Sequence, residues 1–214
     1  MTITRRTVLA ASLAGALVGS TAALGGDAPA AAAADADADA VLRFWFAELE
    51  PRDWWRNDPE LDRRIESRFG GSLEAAARGA LAHWRTTPRG RLAEIIVLDQ
   101  FTRNIHRDSA AAFANDALAL RLAEEAVAAG ADLKLPVEER RFVYMPYMHS
   151  ESAAVHETAM RLFATPGLET NLEFERRHKA IIDRFGRFPH RNALLGRPST
   201  AEEIEFLKQP GSSF

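Results

Sequence analysis

The chain has 214 residues, 47% of them hydrophobic, with 27 Lys and Arg against 30 Asp and Glu and a formal charge of −3. That is too apolar for an intrinsically disordered chain, and the mildly acidic balance excludes nucleic acid as the main partner, because phosphate backbones need a basic surface. The absence of cysteine excludes disulfide frameworks, zinc ribbons, iron–sulfur clusters and thiol nucleophiles.

Residues Thr4 to Leu24 are a pair of arginines followed by an uncharged run rich in Ala and Leu, and small residues continue through Ala34. This is the layout of a secretory signal peptide. Arg5 and Arg6, with Thr7, Val8 and Leu9 after them, resemble the twin-arginine export motif, an address for bacterial proteins that cross the membrane already folded. The reading assigns residues 1–34 to the signal peptide, the Ala/Asp tract at 35–39 to a solvated linker, and 40–214 to a single all-helical domain. The mature protein is expected in the periplasm or outside the cell, meeting the membrane only in transit. An uncleaved signal that anchors the chain in the membrane is the alternative.

Beyond the linker, strand and hairpin signals are missing and helix signals recur. Asp58 before Pro59 and Thr87 before Pro88 read as N-caps with a proline in the first turn. Ser199 with Glu202 reads as a capping box, and Gly70, Gly71, Gly130 and Gly167 fall where helices should stop. The predicted helices are 39–49, 58–69, 72–84, 88–107, 110–129, 136–148, 150–164, 169–185 and 199–207. Leu92, Ile95 and Ile96 give one buried stripe, and Leu118, Leu122 and Val127 another. Short connections imply antiparallel neighbours, so the expected fold is all-α, with helical hairpins stacked in a tetratricopeptide-like arrangement, although no 34-residue repeat aligns. Most of the aromatics, Trp45, Trp54, Trp55 and Trp84 included, are expected in the core.

Three polar clusters interrupt this apolar pattern. In the first, Asp99 and Arg103 lie one turn apart, Gln100 and Asn104 do the same, and Arg107 follows Arg103 by another turn. In the second, Pro146 should break or kink a helix, placing His149, Ser150 and Glu151 at a new helix start with Ser150 as N-cap. His149 and His156 lie off the i, i+4 spacing of the zinc-binding helix motif, so no metal is expected, and no cofactor motif is present. The third joins His178 to Arg187, His190, Arg191 and Asn192, interleaved with Phe185 and Phe188. Aromatics at that density pack rather than stay exposed, so this loop should fold over the body and carry its guanidinium and imidazole donors to an internal carboxylate or to an anionic ligand.

The motifs FWF at Phe44 to Phe46, LDQFTRN at Leu98 to Asn104, YMPYMHSE at Tyr144 to Glu151, and RFGRFPHRN with LGRPSTAEE at Arg184 to Glu203 resemble, in this order, those of the bacterial domain-of-unknown-function family 924. The resemblance covers nearly the whole mature region. It implies an all-helical, tetratricopeptide-like fold and no established activity, substrate or cofactor. Thr102 stands where the family commonly has proline, and His106 where it has an aromatic. Most relatives look cytoplasmic, so the export expectation rests on this chain's own Arg5–Arg6 segment.

The sequence therefore supports three functions of different classes. The first is a binding module in which Asp99, Arg103, Asn104, Arg107, His149, Glu151, His178, Arg187, His190, Arg191 and Asn192 hold a small anionic ligand. The second is a scaffold for a protein partner, its polar clusters serving only as locks between helices. The third is a hydrolase using His149 or His190 beside Glu151 or Asp99.

Overall fold

A computed structural model of the protein describes residues 37–213. The signal-peptide expectation, and the first two residues of the expected linker, lie outside these. Among the described residues every regular element is helical. Residues 37–43 form α1, which passes directly into the π-helical turn Phe44–Glu48, so residues 37–39 of the expected linker already belong to a helix and Ala38 is buried. The helices that follow are α2 (Pro59–Ala77), α3 (Pro88–Ile96), α4 (Thr102–Ile105), α5 (Asp116–Ala128), α6 (Val137–Met148), α7 (Ala153–Phe163), α8 (Glu169–Phe185) and α9 (Ala201–Phe206).

Local chemistry sets most of these boundaries. The Asp58 carboxylate accepts from the Glu60 and Leu61 amides at the start of α2, and the Thr87 hydroxyl accepts from the Gly90 amide at the start of α3. Several boundaries differ from expectation: the expected helices 58–69 and 72–84 are one helix ending at Ala77, α5 begins at Asp116 rather than at 110, and α7 begins at Ala153 rather than at 150. Gly70 and Gly71 do not end a helix: α2 runs through both, because Leu61, Ile65, Phe69, Leu73 and Ala76 form one buried stripe at helical spacing on either side of the pair. The capping box of α9 is Thr200 with Glu203, one residue later than predicted, while the Ser199 hydroxyl accepts instead from the Asn192 amide.

Pro146 stays inside α6, which continues to Met148 because every side chain from Phe142 to Met148 is buried and packing holds the turn despite the missing amide. His149 is thus the C-cap of α6 rather than the start of the next helix. Ser152 takes the N-cap position of α7, and the Ser150 hydroxyl accepts from the Ser152 amide.

The core is continuous from α1 to α8. Around the first π turn, Phe44 and Phe69 lie 5.1 Å apart, Phe69 and Phe101 5.0 Å, and Trp45 and Phe101 5.5 Å in an edge-to-face contact. Helix α3 continues through a second π turn, Val97–Phe101, into α4, and this composite helix packs on α2 and α5. Further along the chain α5 packs on α6, α6 on α7 and α7 on α8. A smaller apolar cluster of Ile181, Ile182 and Phe188, backed by Phe185 and Phe206, seats the C-terminal segment on the end of α8. No helix of the described residues is long and apolar enough to cross a membrane.

Candidate functional site

The second π turn and the end of α6 meet at a cavity of about 930 Å³. A π turn adds a residue to the helical ladder and redirects its side chains, a feature frequent at functional sites. Here it holds the Asp99 carboxylate, 1% exposed, under the cavity wall. Oδ1 of Asp99 lies 2.7 Å from Nδ1 of His149 and 3.0 Å from a guanidinium nitrogen of Arg103, and Oδ2 accepts from the Gln100 amide at 2.6 Å. Burial pushes the Asp99 carboxyl up, but Arg103, His149 and Gln100 together outweigh it and hold the group far below the usual carboxylate range.

Facing a carboxylate, Nδ1 of His149 donates, which makes Nε2 the proton-accepting nitrogen of the neutral ring. Burial, and after it the Arg103 charge, lower the His149 pKa against the pull of Asp99. The imidazole is therefore neutral at neutral pH.

Arg103 also reaches Oδ1 of Asp116 at 2.9 Å, and Nη1 of Arg191 donates to Oδ2 of the same carboxylate at 3.1 Å. The Arg191 guanidinium lies over the rings of Phe113 and Phe188, 4.6 Å from each centroid. It is 7% exposed, and its Nε is buried with no hydrogen-bond partner among the described residues. Burial, then the Arg103 charge, lower its pKa to about 10, which leaves it protonated at neutral pH. Arg107 forks the Asp62 carboxylate through Nε and Nη2 at 2.7 and 2.9 Å, and the Asn104 amide joins the same carboxylate at 2.8 Å.

His178 and His190 complete the polar wall. Nδ1 of His178 donates to the Phe174 carbonyl at 2.8 Å, and burial lowers its pKa to about 3. Burial and the Arg191 charge lower that of His190 to about 4. The rest of the lining is largely apolar, with Trp54, Trp55, Phe113, Met145, Met148, Phe174, Phe188 and Leu194, together with Arg141 and Arg56.

Of the eleven residues expected at the site, seven line the cavity: Arg103, Asn104, Arg107, His149, His178, His190 and Arg191. Asp99 stands directly behind them. Glu151, Arg187 and Asn192 are not in the lining; each is engaged in fastening the C-terminal segment. Glu151 accepts from both terminal nitrogens of Arg197 at 2.6 and 2.9 Å and from the Phe188 amide at 2.8 Å. Arg187 forks Glu203 at 2.7 and 2.8 Å, and Asn192 bridges Arg197 and Ser199. These three belong to a lock because their charges and amides are satisfied within the chain.

Sequence reasoning missed Arg141, Asp116 and the aromatic wall. Arg141 and Asp116 carry no local signal, since each reads as an ordinary charge on a helix. The four tryptophans divide: Trp45 and Trp84 are fully buried, whereas Trp54 and Trp55 line the cavity.

No curated protein matches the chain. Among solved structures it is similar to the protein of unknown function ATU0120 from Agrobacterium tumefaciens, with 34% identity, 86% of this chain and 99% of that chain covered, and a TM-score of 0.75. The family model for bacterial proteins of unknown function, DUF924, matches residues 41–211, which include the π turns, the α6 end and the C-terminal lock. On that match the chain belongs to the DUF924 family.

Proposed function

We propose that the cavity is a binding site for a small anionic ligand. One observation carries this reading. Arg85, Arg107 and Arg187 each use the Nε/Nη2 edge of the guanidinium to fork a carboxylate of the chain. Two cavity arginines leave that edge without an acceptor among the described residues: Arg191, whose Nη1 alone is engaged, and Arg141, which has no carboxylate partner and whose Nε is buried and unsatisfied. A buried donor without a partner costs about 1–3 kcal/mol, which a ligand oxygen would recover.

The Gln100, Asn104 and Arg103 donors of the wall are already turned to Asp99, Asp62 and Asp116, and among the described residues Asp108 is the one carboxylate in the lining. The test is thermal unfolding with acetate, phosphate and larger carboxylates. A ligand at ten times its dissociation constant should stabilise the protein by about 1.4 kcal/mol. The increment should vanish in Arg191→Ala and weaken in Arg141→Ala, while Arg187→Ala, which lies in the lock, should keep it. Absence of any anion-dependent stabilisation of the wild-type protein overturns the reading.

A hydrolase is the second reading, favoured by the Asp99–His149 pair. Asp99 fixes the ring so that Nε2 can take a proton from a water molecule attacking the carbonyl carbon of a bound ester and return it to the alkoxide oxygen as the ester C–O bond breaks, releasing an acid and an alcohol. Glu151, committed to Arg197, is not that partner. Ester hydrolysis that follows the basic form of one group and disappears in His149→Gln would select this reading over simple binding.

The successive packing of α5, α6, α7 and α8 supports a tetratricopeptide-like stack of antiparallel hairpins. Export to the periplasm remains a proposal supported by the Arg5–Arg6 segment and the apolar run behind it.

A further inference from the structure

We propose that the ligand of this cavity is an aromatic monocarboxylate, its carboxylate on the open edge of Arg191 and its ring against Trp55. The proposal rests on the anion-binding reading above and names the ligand class. Three observations converge on it.

The first is where the exposed rings are. Among the described residues only two large aromatic side chains are exposed, Trp55 at 54% and Phe174 at 44%, and both line the cavity. Trp55 lies parallel to the buried Phe142, with 10° between the rings and 6.3 Å between their centroids, so its orientation is fixed while more than half of its surface meets water. Large exposed apolar surface next to a concave site marks a place where something apolar docks. With Leu194 also exposed at this cavity, the ligand needs an apolar body as well as a charge.

The second is the shape of the anion site. Phe113 and Phe188 each hold the Arg191 guanidinium 4.6 Å from their ring centroids, and Asp116 takes Nη1. What remains is the Nε/Nη2 edge, whose two parallel N–H groups match the two oxygens of one planar carboxylate.

The third is charge. Asp99 and Asp116 stand behind Arg103 and Arg191, Asp62 behind Arg107, and Asp53 and Asp58 beside Arg56. These five carboxylates already equal the five guanidinium charges of the lining, and Asp108 in the lining adds a sixth, so the site holds no surplus positive charge for a phosphate dianion or a tricarboxylate. What the site offers is the open hydrogen-bonding edge of Arg191, and with no surplus charge behind it a ligand bearing a single carboxylate is disfavoured least.

Binding is measured by calorimetry and by tryptophan fluorescence with acetate, octanoate, 2-naphthoate and inorganic phosphate, on the full chain, on Trp55→Ala and on Leu133→Ala, an exposed position that does not line the cavity. Stacking and apolar burial should make 2-naphthoate bind about tenfold or more tighter than acetate. It should also perturb the fluorescence. That advantage should collapse in Trp55→Ala and persist in Leu133→Ala. Equal affinity for acetate and 2-naphthoate overturns the aromatic class and leaves the anion reading standing. Tighter binding of octanoate than of 2-naphthoate, preference for phosphate, or an advantage retained in Trp55→Ala overturns it as well. No binding of any of the four defeats the anion reading together with this proposal.

Discussion

At the scale of residues, the buried charged groups of this protein divide into those paired with one another within the chain and those with donors that meet no acceptor among the described residues. His156 and Glu175 are fully buried, with Nδ1 of His156 2.6 Å from a Glu175 oxygen and Nε2 2.8 Å from the Ser150 carbonyl. The carbonyl only accepts, so Nε2 must carry a hydrogen whichever partner holds the proton between His156 and Glu175. Burial raises the Glu175 pKa. Removing the carboxyl group in Glu175→Ala should strand the imidazole and destabilise the protein by about 3 kcal/mol in denaturant unfolding. Replacing both residues by leucine should recover most of that loss, because it removes the stranded group rather than its partner. A double variant no more stable than the single one would contradict this account. Arg191 and Arg141 are the opposite case, since among the described residues their unmet donors face no acceptor, which is why they and not Arg187 mark the site.

At the scale of elements, α2 shows how packing overrides propensity. Glycine in a helix interior is less favourable than alanine by about 0.5–1 kcal/mol, and α2 carries two in succession. The stripe from Leu61 to Ala76 holds the helix through them, and a Cβ added at Gly70 or Gly71 meets nothing within 4 Å. Gly70→Ala with Gly71→Ala should therefore stabilise the protein by about 1–2 kcal/mol in chemical denaturation. Gly90→Ala should do the reverse, because its Cβ would fall 2.0 Å from the Trp84 carbonyl oxygen. These boundaries could be read only in part from the sequence. The Asp58–Pro59 and Thr87–Pro88 starts were legible because capping is local chemistry, whereas the Gly pair and Pro146 misled because long-range burial decides whether a helix tolerates them.

At the scale of the whole molecule, acid sensitivity follows from groups buried in their uncharged form or paired in their charged one. His178 and His190, at about 3 and about 4, stand below the ordinary histidine value of 6.5. The unfolded chain thus binds more protons, and the stability these groups contribute is complete above 6.5 and lost as the pH falls toward their folded values. Glu203, lowered to about 2 first of all by its Arg187 fork, adds a loss that begins below its ordinary 4.5. Glu175 acts in the opposite sense, its raised pKa favouring the fold in acid. The midpoint of thermal unfolding should therefore fall steadily between pH 7 and pH 4. A flat profile over that range would show that these histidines do not stay neutral in the fold.

The sequence by itself determined the all-α class, most helix positions and seven of the cavity's lining residues, because periodic burial, capping and dense polar motifs are properties of neighbours along the chain. Tertiary structure alone decided the rest. It seated Arg197 on Glu151 and Arg187 on Glu203, turning a presumed ligand cluster into a lock, and it set Arg191 of the C-terminal segment beside Asp116 of α5 and Trp55 beside Phe142 of α6. An arginine reads alike in sequence whether its carboxylate is internal or has to come from a ligand. Which of the two it is depends on where a distant acidic residue lands when the helices pack.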